Sequence, residues 1–313
     1  MLLYIVKRIL ATIPVMVFVA LFVFGLLYLA PGDPAEMIAG DNATPEHIAD
    51  VRETLGLDQP VYQRFGIWIV RVAQGDLGNS VFTGKSVSGL ILQRLEPTLS
   101  LMALTLVIAI CTAIPVGVLA ASRAGSWLDR TLMGVAVLGF SVPVFATSYL
   151  LAYIFSIKLR WLPVQGYAPL ADGVLPWLSH LLLPALALGS VYMALIARIT
   201  RTSMLEVLHQ DYIRTARAKG QSRTIILFVH ALKNASVSIL TVIGLGIALM
   251  IGGAVVTESV FALPGIGRLT VDAILQRDYP VIQGVVLFFS FIYVLINLVV
   301  DLAYTLIDPR IKY

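Results

Sequence analysis

Residues 279–300, YPVIQGVVLFFSFIYVLINLVV, hold fifteen Val, Leu, Ile or Phe side chains and no Asp, Glu, Lys or Arg. A hydrocarbon core about 30 Å thick is crossed by roughly 20 helical residues at about 1.5 Å each, so this stretch can span a bilayer. Five further charge-free windows precede it: Ile9 to Gly32, Pro97 to Ser122, Thr131 to Ile157, Gly173 to Ala197 and Asn234 to Thr257. The six windows take up 148 of 313 residues, and the other 165 carry all 40 charged side chains. That is about 24% charge outside the windows, an ordinary soluble share, so the low overall figure of 13% averages two populations. Buried helices of a soluble protein do not stay charge-free for 22 or more residues six times over. The pattern predicts an all-α polytopic membrane protein with six transmembrane helices, and it excludes a soluble enzyme, a nucleic-acid binder and a disordered chain.

The first window follows Lys7 and Arg8 and so has the look of a secretory leader. It is longer than the roughly 7–15 residues of a leader's apolar region and lacks a small-residue cleavage site before Pro31-Gly32-Asp33-Pro34. A retained span is expected. Placing the N-terminus inside puts thirteen basic and five acidic residues on the inner side, a net of +8, and nine basic against thirteen acidic outside, a net of −4. The positive-inside rule therefore sets both termini in the cytoplasm, and the basic pI of about 9.2 reflects topology with no nucleic-acid partner implied. The one cysteine, Cys111, falls within a span, which excludes a disulfide framework.

Two connections are long enough to carry structure. The outer stretch Asp33 to Glu96 is polar, with a helix start at Thr44-Pro45, and is expected to pack as a small cap. The inner loop, Arg198 to Lys233, reads as two helices around a sharp break. Asp211 is placed to cap a helix over Tyr212 to Lys219, Gly220 to supply the left-handed residue that stops it, and Ser222 to cap a second helix. Arg214 and Arg217 share one face of the first helix, Ile213 and Ala216 another. A basic loop serving only orientation is the simpler alternative; two or three Lys/Arg would suffice for that, and a capped break is more than topology needs.

These residues carry a resemblance. Thr215-Ala216-Arg217-Ala218-Lys219-Gly220 followed by His230-Ala231-Leu232-Lys233-Asn234-Ala235 resembles the cytoplasmic coupling loop of the membrane permease subunits of bacterial dipeptide- and oligopeptide-type ABC importers. Similar to the same family are Pro31-Gly32-Asp33-Pro34, Leu55-Gly56-Leu57-Asp58-Gln59-Pro60, Gly75-Asp76-Leu77-Gly78, Pro264-Gly265-Ile266-Gly267-Arg268, Asp278-Tyr279-Pro280 and Asp308-Pro309-Arg310, so the resemblance covers almost the whole chain. Importers at large have Glu-Ala-Ala ahead of the glycine where this chain has Arg214-Thr215-Ala216, a departure that matches the peptide subfamily. Within that subfamily substrates extend to glutathione, nickel complexes, opines and short glycosides.

The resemblance implies a type I ABC importer permease fold in a bacterial cytoplasmic (inner) membrane. Residues 1–32 would form the N-terminal transmembrane helix, 33–93 an extracytoplasmic cap, 94–305 a five-helix core containing the coupling loop 198–233, and 306–313 a cytoplasmic tail. It also implies partners: a homologous second permease subunit, two cytoplasmic ATPase subunits that use ATP and Mg, and an extracytoplasmic substrate-binding protein, with membrane lipid around them. The coupling residues would be Asp211, Tyr212, Arg214, Thr215, Ala216, Arg217, Ala218, Lys219 and Gly220. Arg214, Arg217 and Lys219 would orient the ATPase contact, Ala216 and Ala218 would permit close approach, and Gly220 would set the angle between the helices. The segment Glu258 to Gln283, with the outer cap, would receive the binding protein.

An internal engine is not legible. Gly84-Lys85-Ser86 imitates the end of a phosphate-binding loop, but the motif needs a glycine where Asn79 stands. No His-Glu-x-x-His helix or Gly-x-Ser-x-Gly elbow occurs, so no catalytic residue and no cofactor are expected in this chain. Ion-coupled carriers place ionisable groups inside their spans. Fifteen large apolar residues favour insertion of the last window by about −6 kcal/mol, against roughly +3 for one central charge, so a charge was affordable there and is nonetheless missing. Energy is expected to come from a bound partner. Two rivals stay open: a self-contained secondary carrier, and a membrane assembly factor with no transport role. Asn297, Thr241, Ser141, Ser148 and Tyr149 are polar groups within windows that suit either a path lining or helix packing.

Overall fold

A computed structural model of the protein describes residues 2–29, 35, 44–54 and 58–307. The motifs Pro31-Gly32-Asp33-Pro34, Leu55-Gly56-Leu57 and Asp308-Pro309-Arg310 lie outside the described residues. Among the described residues the regular secondary structure is helical, with an isolated antiparallel bridge between Asn79 and Ser86. In order, the helices are α1 (Leu2–Leu29), α2 (Pro45–Thr54), α3 (Val61–Ala73), α4 (Val87–Ser122), α5 (Trp127–Ser141), α6 (Val144–Leu151), α7 (Val174–Leu208), α8 (Asp211–Ala218), α9 (Arg223–Val260), α10 (Ile266–Gln276) and α11 (Tyr279–Ile307). A π turn, Ala152–Lys158, prolongs α6, and another, Ile226–Ala231, lies in α9 near its start.

Among the described residues α4, α7, α9 and α11 are each long and apolar enough to cross a membrane, and α1 contains the shorter apolar stretch Leu10–Gly25. The charge-free window Thr131 to Ile157 differs from the straight span its composition suggests. Its two halves, Trp127–Ser141 and Val144–Lys158, meet at 103°. Val142, preceding Pro143, is extended (φ −87°, ψ 126°), the conformation a following proline favours, and Pro143 has no N–H to continue the helix.

The chain divides into two compact units. One comprises residues 1–94 and 269–294. Here the Phe24 ring lies 5.4 Å from Phe65 and 5.5 Å from Trp68, joining α1 to α3. Ala20, Val23 and Leu287 form a small core under Trp68, Ile69, Val72 and Leu77. The turn between α3 and α4 is closed by Ser80 N–H to the Lys85 carbonyl and Val87 N–H to that of Gly78, each 2.9 Å. Ser86 accepts from Gly89 N–H at 3.3 Å, so the hydroxyl of Gly84-Lys85-Ser86 serves as the N-cap of α4. Asp278, 2% exposed, accepts from the Ser80 hydroxyl at 2.5 Å and from Val81 N–H at 3.4 Å.

The second unit comprises residues 95–268 and 295–313 and is organised on α7. Of its most apolar stretch 61% is buried, against 11% for α11. Neighbouring helices reach α7 at glycines. A Cβ on Gly117 of α4 would sit 2.6 Å from Thr200, one on Gly253 of α9 2.6 Å from Leu188, and one on Gly139 of α5 3.3 Å from the Ser190 carbonyl oxygen. Close approach at small residues is how helices pack where lipid tails supply no hydrophobic drive. The polar candidates within windows mostly bond their own helix: Ser141 to the Val137 carbonyl, Ser148 to that of Val144 and Thr241 to that of Val237, each at 2.8 Å.

Candidate functional site

The loop between α7 and α9 forms a two-helix knob. After α7 the chain turns at His209-Gln210, and α8 begins at Asp211. The expected cap moves by one residue: Gln210 occupies the N-cap, with φ −71° and ψ 149° and no side-chain cap bond, whereas Asp211 is the first helical residue. The physical reason is that the extended dihedrals required of a cap fall on Gln210. The carboxylate of Asp211 still sits where helix N-termini favour negative charge, and it pairs with Arg214 at 3.5 Å in an exposed (i, i+3) contact.

The stop at Gly220 is as its sequence foretells. Gly220 has φ +77°, its N–H donates to the Arg217 carbonyl at 2.9 Å, and Gln221 N–H donates to that of Ala216 at 3.2 Å. This pair of bonds is the Schellman closure of a helix. No atom lies within 4 Å of where a Gly220 Cβ would be, so the glycine is there for its backbone conformation alone. Ser222 then caps the second helix, accepting from Ile225 N–H at 3.4 Å.

One face of α8 anchors the knob and the other is presented outward. Ile213 is fully buried in the core cluster that includes Met204, Ile226 and Ala231, which by area contributes about 1.5–3 kcal/mol. Ala216 is half-buried, whereas Tyr212, Arg214, Thr215, Arg217, Ala218, Lys219 and Gly220 are exposed. Further contacts hold the return segment of the knob: the Arg223 guanidinium donates to the Ser122 carbonyl, and Gln221 Oε1 lies 2.6 Å from His230 Nε2. Partial burial of the Tyr212 phenol shifts it above its ordinary range, against a hydrogen bond with Asn234 that lowers it. The result is an exposed basic ridge on a helix fixed at both ends.

A second constellation, which composition and motif did not single out as one, joins the end of α9 to α4 and the start of α10. Glu258 is fully buried; its Oε1 accepts from the Thr98 hydroxyl at 2.6 Å and its Oε2 from Arg268 N–H at 3.0 Å. Thr98 in turn accepts from Ile266 N–H at 2.8 Å, so the carboxylate and its hydroxyl partner satisfy backbone donors at the start of α10. Gly265 and Gly267 permit this: a Cβ on Gly265 would lie 2.2 Å from the Glu258 carboxyl carbon, and one on Gly267 2.6 Å from Val255 Cα. The Pro264-Gly265-Ile266-Gly267-Arg268 motif is thus a cradle for a carboxylate.

A third buried acid, Asp129, is 3% exposed and is clamped by Arg201, Nε at 2.5 Å and Nη2 at 2.8 Å, with Gly125 N–H at 2.9 Å. The buried carboxylates Asp129, Glu258 and Asp278 therefore all have protein partners within their own unit. No cluster of three or more His, Cys, Asp or Glu that could hold a metal occurs among the described residues.

Long apolar helices packed at glycines, with a capped basic knob between two of them, define a polytopic helical protein of membrane-permease type. The chain belongs to the family described as the binding-protein-dependent transport system inner membrane component, whose model matches residues 113–313. The N-terminal component of the same systems matches residues 1–102. A probable peptide ABC transporter permease, y4tP, of Sinorhizobium fredii is 57% identical, with 99% of each chain covered. The glutathione transport system permease GsiC of Salmonella choleraesuis is 46% identical over the full length of both, and the dipeptide permease DppB of Alkalihalophilus pseudofirmus 41%, again over the full length of both. Among solved structures, an inward-facing methionine ABC transporter, MetNI, aligns with a TM-score of 0.59 at 18% identity, over 70% of this chain and 96% of that one. The resemblance to the dipeptide- and oligopeptide-type permease family is thereby borne out, and with it a transport permease subunit.

Proposed function

We propose that this permease subunit carries di- or oligopeptides, or similar small solutes such as glutathione, across a bacterial inner membrane, driven by ATP hydrolysis in partner subunits. The observation that carries the reading is the knob Asp211–Gly220: a short helix anchored by Ile213, closed at Gly220 and presenting Arg214, Arg217 and Lys219 outward. Its basic face suits an acidic-rimmed groove on an ATPase, and the two fixed ends let a push on α8 move α7 and α9 as levers, a rigid-body switch. The peptide class is supported by the relatives' names, the importer mechanism by the family.

In this reading α1, α4, α7, α9, α11 and the bent pair α5–α6 make six crossings with both termini inside, and residues 33–93 form the outer cap. The 94–305 core pairs with a homologous second permease to enclose the path. Two ATPases bind the inner face, using ATP and Mg, and a substrate-binding protein delivers solute at the cap and the segment Glu258 to Gln283. Replacing Gly220 by Val together with Arg217 by Glu is expected to abolish substrate-stimulated ATP hydrolysis and uptake by the assembled transporter in proteoliposomes. Survival of both activities would refute the coupling role. A solute gradient formed by the purified chain alone would favour the secondary carrier instead.

A further inference from the structure

A cavity of about 380 Å³ lies between α5 and α7 at the end of the helices that leads into the knob. Its apolar wall includes Met133 and Phe140, and its charged end is formed by Asp129, Arg130, Arg198 and Arg201. Asp129 is committed to Arg201 and the Gly125 N–H, so the four groups sum to a net +2. Arg130 and Arg198 are exposed, and neither is in an ion pair within 4 Å among the described residues, although Arg130 acts on Asp129 at longer range. Trp127, one turn earlier on α5, is 80% exposed at the same end, the position of an interfacial anchor at headgroup depth. A positive end joined to an apolar wall is the inverse of one class of molecule, an anionic amphiphile.

We propose that this cavity binds an anionic phospholipid of the leaflet on the knob's side. The phosphate is held by Arg130 and Arg198, and an acyl chain lies along Met133 and Phe140. Basic pockets between spans on the cytoplasmic side are suited to acidic lipid headgroups, each arginine near the surface contributing a factor of about five in affinity. The Asp129–Arg201 clamp keeps the two helices at the spacing the lipid needs, and Arg201 itself is occupied. The inference adds a ligand to the transporter and rests only on α5 and α7 being membrane helices, not on the identity of the solute.

The test uses the assembled transporter in detergent, with phosphatidylglycerol or phosphatidylcholine of matched chains added, read by native mass spectrometry. A retained phosphatidylglycerol adduct is expected, and R130A/R198A should weaken it roughly 30-fold. R130K/R198K, which keeps both charges, should hold the preference, and unchanged thermal midpoints would show that the variants are folded. Soluble glycerol phosphate should not displace the lipid; displacement at equal concentration would mean a phosphate site and overturn the proposal. An equal preference in R130A/R198A would also overturn it, as would a photoreactive group at Met133 that crosslinks to the second permease in place of lipid. Solute uptake by the wild-type transporter in the same preparations reports on the proposed transport function independently of lipid binding.

Discussion

Replacing Gly265 by Ala tests whether the Glu258 cradle is built as its geometry implies. The new methyl carbon would fall 2.2 Å from the carboxyl carbon of Glu258 and 2.2 and 2.3 Å from its oxygens, distances no real Cβ shows. The carboxylate is fully buried and has no solvent to retreat into. Either it or the loop moves, and the bonds at stake are those from Thr98 (2.6 Å) and Arg268 N–H (3.0 Å). A hydrogen bond to a charged group contributes roughly 1.5–3 kcal/mol, so losing one costs about that much and losing both about 3–6 kcal/mol. Chemical denaturation of the purified chain in detergent should therefore show a loss of at least about 2 kcal/mol. A control is Gly252→Ala, where nothing lies within 4 Å of the added carbon; helix propensity makes that change neutral or stabilising by up to about 1 kcal/mol. The decisive comparison is a double-mutant cycle: in a Glu258→Ala background, Gly265→Ala should add little, because the clashing group is gone. A Gly265→Ala protein within about 0.5 kcal/mol of wild type, or one equally damaged with and without Glu258, would refute the reasoning.

Two further outcomes follow from the buried contacts. Asp129→Ala leaves Arg201 facing the cavity alone and should cost about 3 kcal/mol, the lower end for breaking a buried pair because Arg201 retains 27% exposure; Asp129→Leu with Arg201→Met should recover most of it, as read by the same denaturation. Gly284→Ala places a carbon 2.4 Å from Val87 Cγ1 and should lower stability by about 1–3 kcal/mol, with Val87→Ala in the same chain relieving it; thermal midpoints of Gly284→Ala, Val87→Ala and the double variant check this.

How much of this was legible depended on the range of the interaction. The charge-free windows mark the long helices, though helix α4 starts at Val87, well before its window at Pro97, and Glu96 in that first part is taken up by the Tyr167 hydroxyl (2.9 Å) and Leu170 N–H (3.1 Å). The break at Gly220 and the cap at Ser222 are local, and both were readable from residue type. Asp211 was not placed correctly as a cap, since Gln210 beside it offers an equally available extended position and side-chain type alone does not choose between neighbours. The 103° bend was hidden because counting charges is blind to dihedral angles, although Val142-Pro143 held the signal. The Thr98–Glu258 and Asp129–Arg201 contacts join residues 160 and 72 positions apart, and no single-sequence pattern pairs such positions.

The bend between α5 and α6 restricts where this part of the chain can face. With a proline at position 143, the Gly139 carbonyl has no helical donor four residues on, and hydrocarbon offers no other. An elbow of this kind is tolerated only against protein or water. Gly139 already approaches the Ser190 carbonyl on α7, which puts one side of the elbow against protein. The face that carries the Gly139 carbonyl, away from α7, then needs either a second protein surface or an aqueous lumen. A spin label at position 142 would for that reason be shielded from lipid-soluble oxygen, by protein or by water, within an otherwise apolar stretch.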